Sequence, residues 1–270
     1  MTIIKATAIF KGVSISGLDT DALTFLNTAG ILDATIRAAI STFVFTLKDK
    51  DIWDFVEVLY PIVGGDENKH SFNLKRPEKF KITWFNNPTH SANGVDYNGV
   101  NQYGATGFIP STSRFVDGLA HGGVYQRETI ASVFQFAFGA TQPSDFIFEM
   151  RPRGSDDKLT AGINGQSDTF DTLILDEKGL LMMDRDVISP DHYRLFKNGV
   201  EIDDKLLSLR GNRPPTIPIF IGCRNDQGTA INFSTKQASL YTFGETLTAT
   251  QHLDYFNAVQ TLQTTLGRNV

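Results

Sequence analysis

The chain has 270 residues, a formal net charge of −5 and 41% apolar residues, with 21 Phe against two Trp. This is enough apolar side chain for one large core, and the length suits a single large all-β domain better than two small ones. Charges of both signs are mixed along the chain, which excludes a basic nucleic-acid footprint and a like-charged tail. The single cysteine, Cys223, excludes an intrachain disulfide and a Cys-based zinc site.

The N-terminus, MTIIKATAIFKGVSIS, alternates loosely over residues 3–15 and is expected to be an extended arm or strand. It lacks the continuous apolar core and cleavage site of a signal peptide. No run in the chain approaches the ~18 apolar residues of a membrane span. The expectation is a soluble protein made in the cytoplasm, without membrane insertion.

Two helices follow. Asp19 is placed to cap TDALTFLNTA, which Gly30 ends. Asp33 is placed to cap a second helix that carries Ile36, Ile40, Phe43, Val44 and Leu47 on one face. Periodicity leaves DIWDFVEVLYPIVGG open between short helix and strand. The Gly64-Gly65 pair marks the one candidate boundary, between a helical segment at 1–64 and a β body at 65–270.

Beyond that point, short apolar runs alternate with turn residues: FKITWF, GFIPS, ASVFQFAFGA, DFIFEMRP, DTLILD, GLLMMDRD, HYRLFKNGVEI, IPIFIGCR and INFSTKQASLYTFGETL. Spacings of roughly 8 to 12 residues indicate a sandwich rather than βαβ units. Asn198-Gly199 in RLFKNGVEI predicts a type I′ hairpin. DTLILDEKGLLMMDRD predicts a second hairpin, with Gly179 in its turn. Thr248 and Gln251 form the capping box of a closing helix. Its expected apolar stripe is Leu253, Phe256, Val259, Leu262 and Leu266, and Gly267 stops it.

The stretch Thr89–Ser111, THSANGVDYNGVNQYGATGFIPS, holds two Asn-Gly pairs and almost no charge. Asn and Gly enter positive-φ conformations cheaply, so it reads as tight turns joined by short extended pieces. This block resembles one in structural proteins of tailed bacteriophages, where it follows a YPxVGG segment and precedes a concanavalin A-like jelly roll. Here YPIVGG (Tyr60 to Gly65) and HSFNLKRP (His70 to Pro77) precede it in that order. The YRLFKNGVEI hairpin is similar to a strand pair of laminin-G and lectin-like domains. IFIGCRNDQGTAINFSTKQASLYTFGETLT resembles the closing pattern of that fold, and HLDYFNAVQTLQTTLGRNV the terminus of phage minor structural proteins. The resemblance spans roughly residues 30 to 270.

It implies a mainly β protein, a concanavalin A-like jelly-roll sandwich with a small N-terminal helical segment and a C-terminal helix. It also implies a non-enzymatic virion component (tail, fibre or capsid surface) made in the host cytoplasm, whose partners are other virion proteins and copies of itself. The alternative is a carbohydrate-binding module for host surface glycans. A glycan site needs an aromatic platform beside convergent polar groups. Trp84, Tyr97, Tyr103 and Tyr125 are the aromatic candidates, with Asp96, Asn98 and Asn101 as hydrogen-bond partners. Core or subunit-interface roles explain the same aromatics more simply.

The third reading is a glycosidase. The same jelly roll hosts laminarinase-type enzymes whose three carboxylates share one strand face. Glu201 and Asp203 of EIDD would share a face, but Lys205 or Leu206 stands where the third carboxylate belongs. No catalytic residue and no cofactor is therefore expected. The loops GSDD (Gly154 to Asp157) and RNDQG (Arg224 to Gly228) offer oxygen ligands without the spacing of a calcium loop. Asp and Asn in turns more often bond their own backbone, so no metal site is expected. His70, His90, His121, His192 and His252 form no metal-ligand pair in sequence and read as structural or solvated. Cys223, in PIFIGCR, reads as a small buried hydrophobe.

Overall fold

The computed structural model describes residues 17–114, 119–130, 134–186, 191–206 and 211–270. The expected N-terminal arm at 3–15 lies outside the described residues. In chain order the elements begin with helices α1 (Thr20–Thr28) and α2 (Ala34–Asp49), a 3-10 turn at Trp53–Phe55, strand β1 (Val56–Tyr60) and the short helix α3 (Glu67–His70). Strands β2 (Thr83–Phe85), β3 (Thr89–Ser91), β4 (Gly94–Asp96), β5 (Tyr103–Ala105), β6 (Ala120–Gln126), β7 (Phe138–Gln142), β8 (Phe146–Arg151) and β9 (Lys158–Ile163) follow. Then come β10 (Asp168–Leu173), β11 (Gly179–Asp186), β12 (His192–Lys197), β13 (Val200–Leu206), β14 (Phe220–Ile221), β15 (Arg224–Asp226), β16 (Thr229–Ile231) and β17 (Ala238–Gly244). Helix α4 (Ala249–Thr265) closes the chain.

The strands form two facing sheets, a jelly-roll sandwich. One sheet runs β13-β12-β11-β6-β17-β4-β3, with β1 also paired to β17. The other runs β10-β9-β8-β7-β14-β5-β2, and the β15–β16 hairpin joins it at β7. Pairing is antiparallel except between β15 and β7. Alternation along the strands fills the space between the sheets: Phe148 and Met150 on β8, Leu159, Ala161 and Ile163 on β9, and Leu181 and Met183 on β11 all point into this core.

The first sheet is buried on both faces, which explains the unbroken LLMM run of β11. Leu181 and Met183 face the sandwich, while Leu180 and Met182 face the helices. Tyr125, Leu180, Met182, Phe196 and Leu240 form that outer face. They pack against Phe25 of α1, Ile40, Phe43 and Val44 of α2, and Tyr255, Val259 and Leu262 of α4. Each such buried side chain is worth roughly 1.5–3 kcal/mol relative to exposure. The molecule is thus three layers deep: helices, sheet, sheet. The expected boundary after residue 64 is crossed by the pairing of Val58, Leu59 and Tyr60 with Phe243, Thr242 and Tyr241.

Local signals set the helices. Asp19 accepts from the amides of Asp21 and Ala22, Asp33 accepts from that of Ile36, and the Thr248–Gln251 box is closed in both directions. Gly30 follows α1 at φ 67°. The Asn198-Gly199 turn has positive φ at both residues, 51° and 76°, as a type I′ hairpin requires.

Other expectations are corrected. DTLILD and GLLMMDRD are not a hairpin, because β10 lies in one sheet and β11 in the other. The connection between them is held by the buried Glu177 carboxylate, which pairs with Lys236. GFIPS is not a strand; Pro110 opens a 3-10 turn there. The buried stripe of α4 is His252, Tyr255, Ala258, Val259, Leu262 and Gln263. Leu253 is exposed, because His252 turns inward to the buried Asp184 (3.0 Å).

Candidate functional site

Helices cover the outer face of the first sheet. Among the described residues, the apolar core that takes in the helices includes no residue of the second sheet's outer face. That face is the place where side chains on rigid strands meet solvent. Across it runs one register row: Thr83 on β2, Ala105 on β5, Phe220 on β14, Gly139 on β7, Glu149 on β8 and Gly162 on β9. With strands ~4.8 Å apart, six strands span roughly 24 Å. The row is mostly small residues, and larger neighbours close over its glycines: Arg224 over Gly139, and Ser167 and Ile147 over Gly162.

At one end the neighbours are aromatic. Phe85 and Tyr103, directly paired across β2 and β5, stack at 4.6 Å with planes 2° apart. Tyr103 also meets Phe220 at 5.0 Å and Phe233 at 6.1 Å. Phe85 is 39% exposed on the edge strand. At the other end the neighbours are polar. Glu149 is buried and accepts from Thr141 Oγ1 (2.7 Å) and Ser167 Oγ (2.6 Å). Arg224 lies over Gly139, where a side chain would meet its Cγ at 3.1 Å. Its guanidinium approaches Glu149 and Asp226 at 3.6 Å each and rests over the Phe136 ring. Arg151, in the next row, donates to Thr160 Oγ1 at 2.6 Å. A flat aromatic group at one end of a sheet face and fixed hydroxyl, carboxylate and guanidinium groups at the other supply the two kinds of contact that a sugar chain uses: an apolar surface for C–H faces and directional partners for hydroxyls.

Of the seven residues singled out from the sequence, Tyr103 alone lies on this face. Tyr97 is 5% exposed and bonds Tyr241 between the sheets, oxygen to oxygen at 3.1 Å. Tyr125 is buried under the helices, where its hydroxyl accepts from the Val270 amide. These two corrections share a cause, since each tyrosine needs its ring in a core and finds its hydroxyl a partner there. Trp84 donates to Ser71 Oγ (2.9 Å) and the Glu67 carbonyl (3.2 Å). Asp96 accepts from Gln237 (2.7 Å). Asn98 Oδ1 accepts three successive amides, those of Val100, Asn101 and Gln102, and its Nδ2 donates to Asn101 Oδ1. The asparagines therefore build the turn that carries Tyr103 rather than a ligand surface. Phe85, Glu149, Arg151 and Arg224 were missed, although the alternation of DFIFEMRP already puts Glu149 and Arg151 opposite Phe148 and Met150.

At the remaining positions the polar side chains bond within the protein. Asp203 accepts from the Thr172 amide, and a bulge separates its register from that of Glu201. In GSDD, Asp156 accepts from the Lys158 amide and Asp157 pairs with Arg153. In RNDQG, Asn225 bonds the Gly228 amide and the Pro218 carbonyl. Among the described residues, no three His, Cys, Asp or Glu side chains are placed to hold a metal ion. Cys223 is buried, and burial pushes its thiol well above the usual range. Among the described residues, no helix is long and apolar enough to cross a membrane.

Two histidines do meet. The Gly65 amide donates to His70 Nε2 (3.1 Å), and His70 Nδ1 faces His90 Nδ1 at 2.9 Å. The first bond makes His70 Nε2 an acceptor, so the proton sits on Nδ1 and is donated to His90. Burial, then the charges of His90 and Arg268, lowers the pKa of His70 to about 3.

A cavity of about 590 Å³ opens elsewhere, between α2 and the turn at Trp53, lined by Lys48, Lys75, Asp21 and Asp54. Burial lowers the Lys75 pKa to about 8. Its amine lies 4.3 Å from the Trp53 ring centroid and donates to the Trp53 carbonyl, and Lys48 is paired with Asp19 and Asp21. These charges answer one another and leave little for a ligand.

No protein-family profile matches the chain, and no curated protein does. Solved structures do. A mutant Trypanosoma rangeli sialidase with trans-sialidase activity aligns at 11% identity and a TM-score of 0.48, covering 82% of this chain and 39% of its own. Domain 4 of the arabinanase AbnA from Geobacillus stearothermophilus aligns at 14% identity and 0.42, over 65% of this chain and 81% of its own. The CBM40 of the Ruminococcus gnavus IT-sialidase aligns at 15% and 0.43, over 60% of this chain and 95% of its own. The chain thus spans well under half of the sialidase. At such identities these likenesses assign no residue and no ligand to it.

Proposed function

We propose that this protein is a carbohydrate-binding module that holds glycans on the outer face of its second sheet without cleaving them. The observation that carries this reading is that one sheet face holds the Phe85–Tyr103 stack toward one end and the polar groups around Glu149, Arg151 and Arg224 toward the other. Strands hold these groups more rigidly than loops would, so binding orders few side chains. Host surface glycans are the ligand class that this reading supplies.

The test is a glycan array with the intact chain, followed by calorimetry on any hit. Replacing Tyr103 by Ala should weaken binding roughly tenfold, about 1.4 kcal/mol, with little change in melting temperature. An array without hits would sink the reading, and release of new reducing ends from a bound glycan would turn it into an enzyme.

A second reading, that the module is a component of a phage virion, rests on the sequence resemblance. YPIVGG, the glycine-asparagine block and the LGRNV terminus carry that resemblance from distant parts of the chain, and Arg268 of the terminus touches the other two. Its guanidinium donates to the carbonyls of Pro61, Ile62 and Ala92. The resembling segments therefore form one structural unit. Mass spectrometry of purified particles tests this reading; absence of the chain from every particle fraction would end it.

A further inference from the structure

Arg151 and Phe134 make a second, sharper feature at the polar end of the same face. Phe134 is 57% exposed and has φ 56°. That backbone conformation is costly for a bulky residue and persists where the surroundings impose it. The Arg151 guanidinium lies over this ring, 5.1 Å from its centroid. Its hydrogen-bond partner is a neutral hydroxyl, Thr160 Oγ1, which is itself paired with Thr169 Oγ1 at 3.0 Å. Its Nε has no partner, and no carboxylate among the described residues lies within ion-pair distance. The neighbouring acids are engaged elsewhere: Glu149 with Thr141, Ser167 and Arg224, and Asp157 with Arg153. Asp156 is the acid at the Gly154 edge of the guanidinium, where a Cβ would stand 2.7 Å from Asp156 Oδ1 and 3.0 Å from Arg151 Nη2; it accepts from the Lys158 amide and makes no ion pair with Arg151.

A guanidinium so placed keeps a planar fork of Nη1 and Nη2 donors, of which one Nη2 hydrogen is spent on Thr160, beside an exposed apolar ring; its Nε is buried. That fork matches a carboxylate, and the ring matches the C–H face of a sugar. Resting on proposed glycan binding by this sheet face, we infer that the glycan taken here is acidic: a carboxylate-bearing sugar, its acid group on Arg151 and its ring against Phe134. Neutral sugars would lie toward Tyr103.

Calorimetry with two matched probes, oligogalacturonate and the neutral galactose oligomer of equal length, tests this with the intact chain. The acidic probe should bind roughly 10- to 100-fold more tightly, the range expected for a charged hydrogen-bonded contact, and should weaken as salt is raised. In Arg151→Gln that preference should fall toward one, and Arg151→Lys should recover part of it. Equal binding of both probes by the wild-type chain, or a preference untouched by Arg151→Gln in a variant that melts normally, overturns the acidic assignment and leaves glycan binding standing. Tighter binding of a sulfated than a carboxylated oligosaccharide also overturns it. Binding of neither probe, nor of any array glycan, removes both readings. The wild-type comparison decides even if the variants fail to fold.

Discussion

Arg268 spends its five guanidinium donors inside the protein: Nε on Gln263, Nη1 on the carbonyls of Ile62 and Ala92, and Nη2 on those of Pro61 and Ser239. No carboxylate pairs with it among the described residues, and burial lowers its pKa to about 9, so it is still charged at neutral pH. One of its acceptors belongs to Ile62, a β-branched residue at φ 44°, a conformation that needs such a clamp. Arg268→Met should therefore cost roughly 3 kcal/mol or more, since it strips several buried carbonyls at once. Arg268→Lys should not restore it, because an ammonium has three donors and no fork. Urea midpoints at unchanged m-value measure both. None of this was legible in the sequence, where Arg268 looks like a polar residue after a helix stop and its partner Ile62 lies 206 positions away. The His70–His90 contact was hidden likewise, because the two histidines stand 20 positions apart with no pattern between them that brings the rings together. It gives a second prediction. Burial depresses the folded-state pKa of His70 to about 3 and that of His121 to about 4, while an unfolded histidine titrates near 6.5. The stability from burying neutral rings is complete above about pH 6.5 and is lost as pH falls, because the unfolded chain takes up the protons first. Each ring contributes a slope of up to about 1.4 kcal/mol per pH unit between about 6 and 4. Unfolding midpoints from pH 7.5 to 4 should fall accordingly, and His70→Gln should flatten the curve by one proton's worth. An unchanged slope would place the titration elsewhere.

At the scale of single elements, what was legible is what the local chain decides for itself. Asp19, Asp33 and Thr248 cap their helices because the side-chain oxygens lie two or three residues from the amides they accept from. Asn198-Gly199 turns the β12–β13 hairpin because only such a pair enters positive φ twice at low cost. What was not legible is which sheet a strand joins. DTLILD and GLLMMD look like two arms of a hairpin, but the chain crosses from one sheet to the other between them, a choice made by partners elsewhere in the chain. The same limit hid the candidate site. Alternation gives the outward side of β8, yet only the sheet order brings Tyr103, Phe220, Gly139 and Glu149 into neighbouring rows. The hairpin turn also has a long-range role, since Gly199 packs on α4, where an added Cβ would stand 2.8 Å from Leu253 Cα and 2.9 Å from Phe256 Cβ. Gly199→Ala should thus cost more than the ~1 kcal/mol of an ordinary positive-φ glycine, roughly 2–3 kcal/mol once the displaced helix is included. Thr248→Ala should cost about 1 kcal/mol through its cap alone. Thermal or urea unfolding ranks the two, and equal losses would mean that α4 yields freely to the turn.

Over the whole molecule, the two sheets have unlike outer faces, and this is what leaves one of them without helices over it. The first sheet carries Tyr125, Leu180, Met182, Phe196 and Leu240 outward, a surface too apolar to leave in water, and the three helices cover it. The second carries Glu149, Arg151, Thr160 and Thr141 outward, needs no cover, and leaves its aromatic stack beside them. Because the cover is drawn from both ends of the chain, the helical segment and the β body are one folding unit by this geometry. Val56–Tyr60 of the first 64 residues pairs with β17 near the centre of the first sheet, and α2 packs against α4. The prediction is that residues 65–270 expressed alone do not reach the native state. They would lack a strand beside β17, expose Leu240, Tyr255 and Leu262, and leave Arg268 without its Pro61 and Ile62 acceptors. The fragment should aggregate, or show strand-rich far-ultraviolet dichroism with flat near-ultraviolet signal and dye binding. Supplying residues 1–64 as a separate chain should restore a cooperative transition, since the missing interface is apolar and large. A fragment that melts cooperatively by itself would make the β body an independent domain, with the helices as an accessory layer. In that case the proposed glycan binding should have the same affinity in the fragment as in the full chain, because no described helix reaches the outer face of the second sheet.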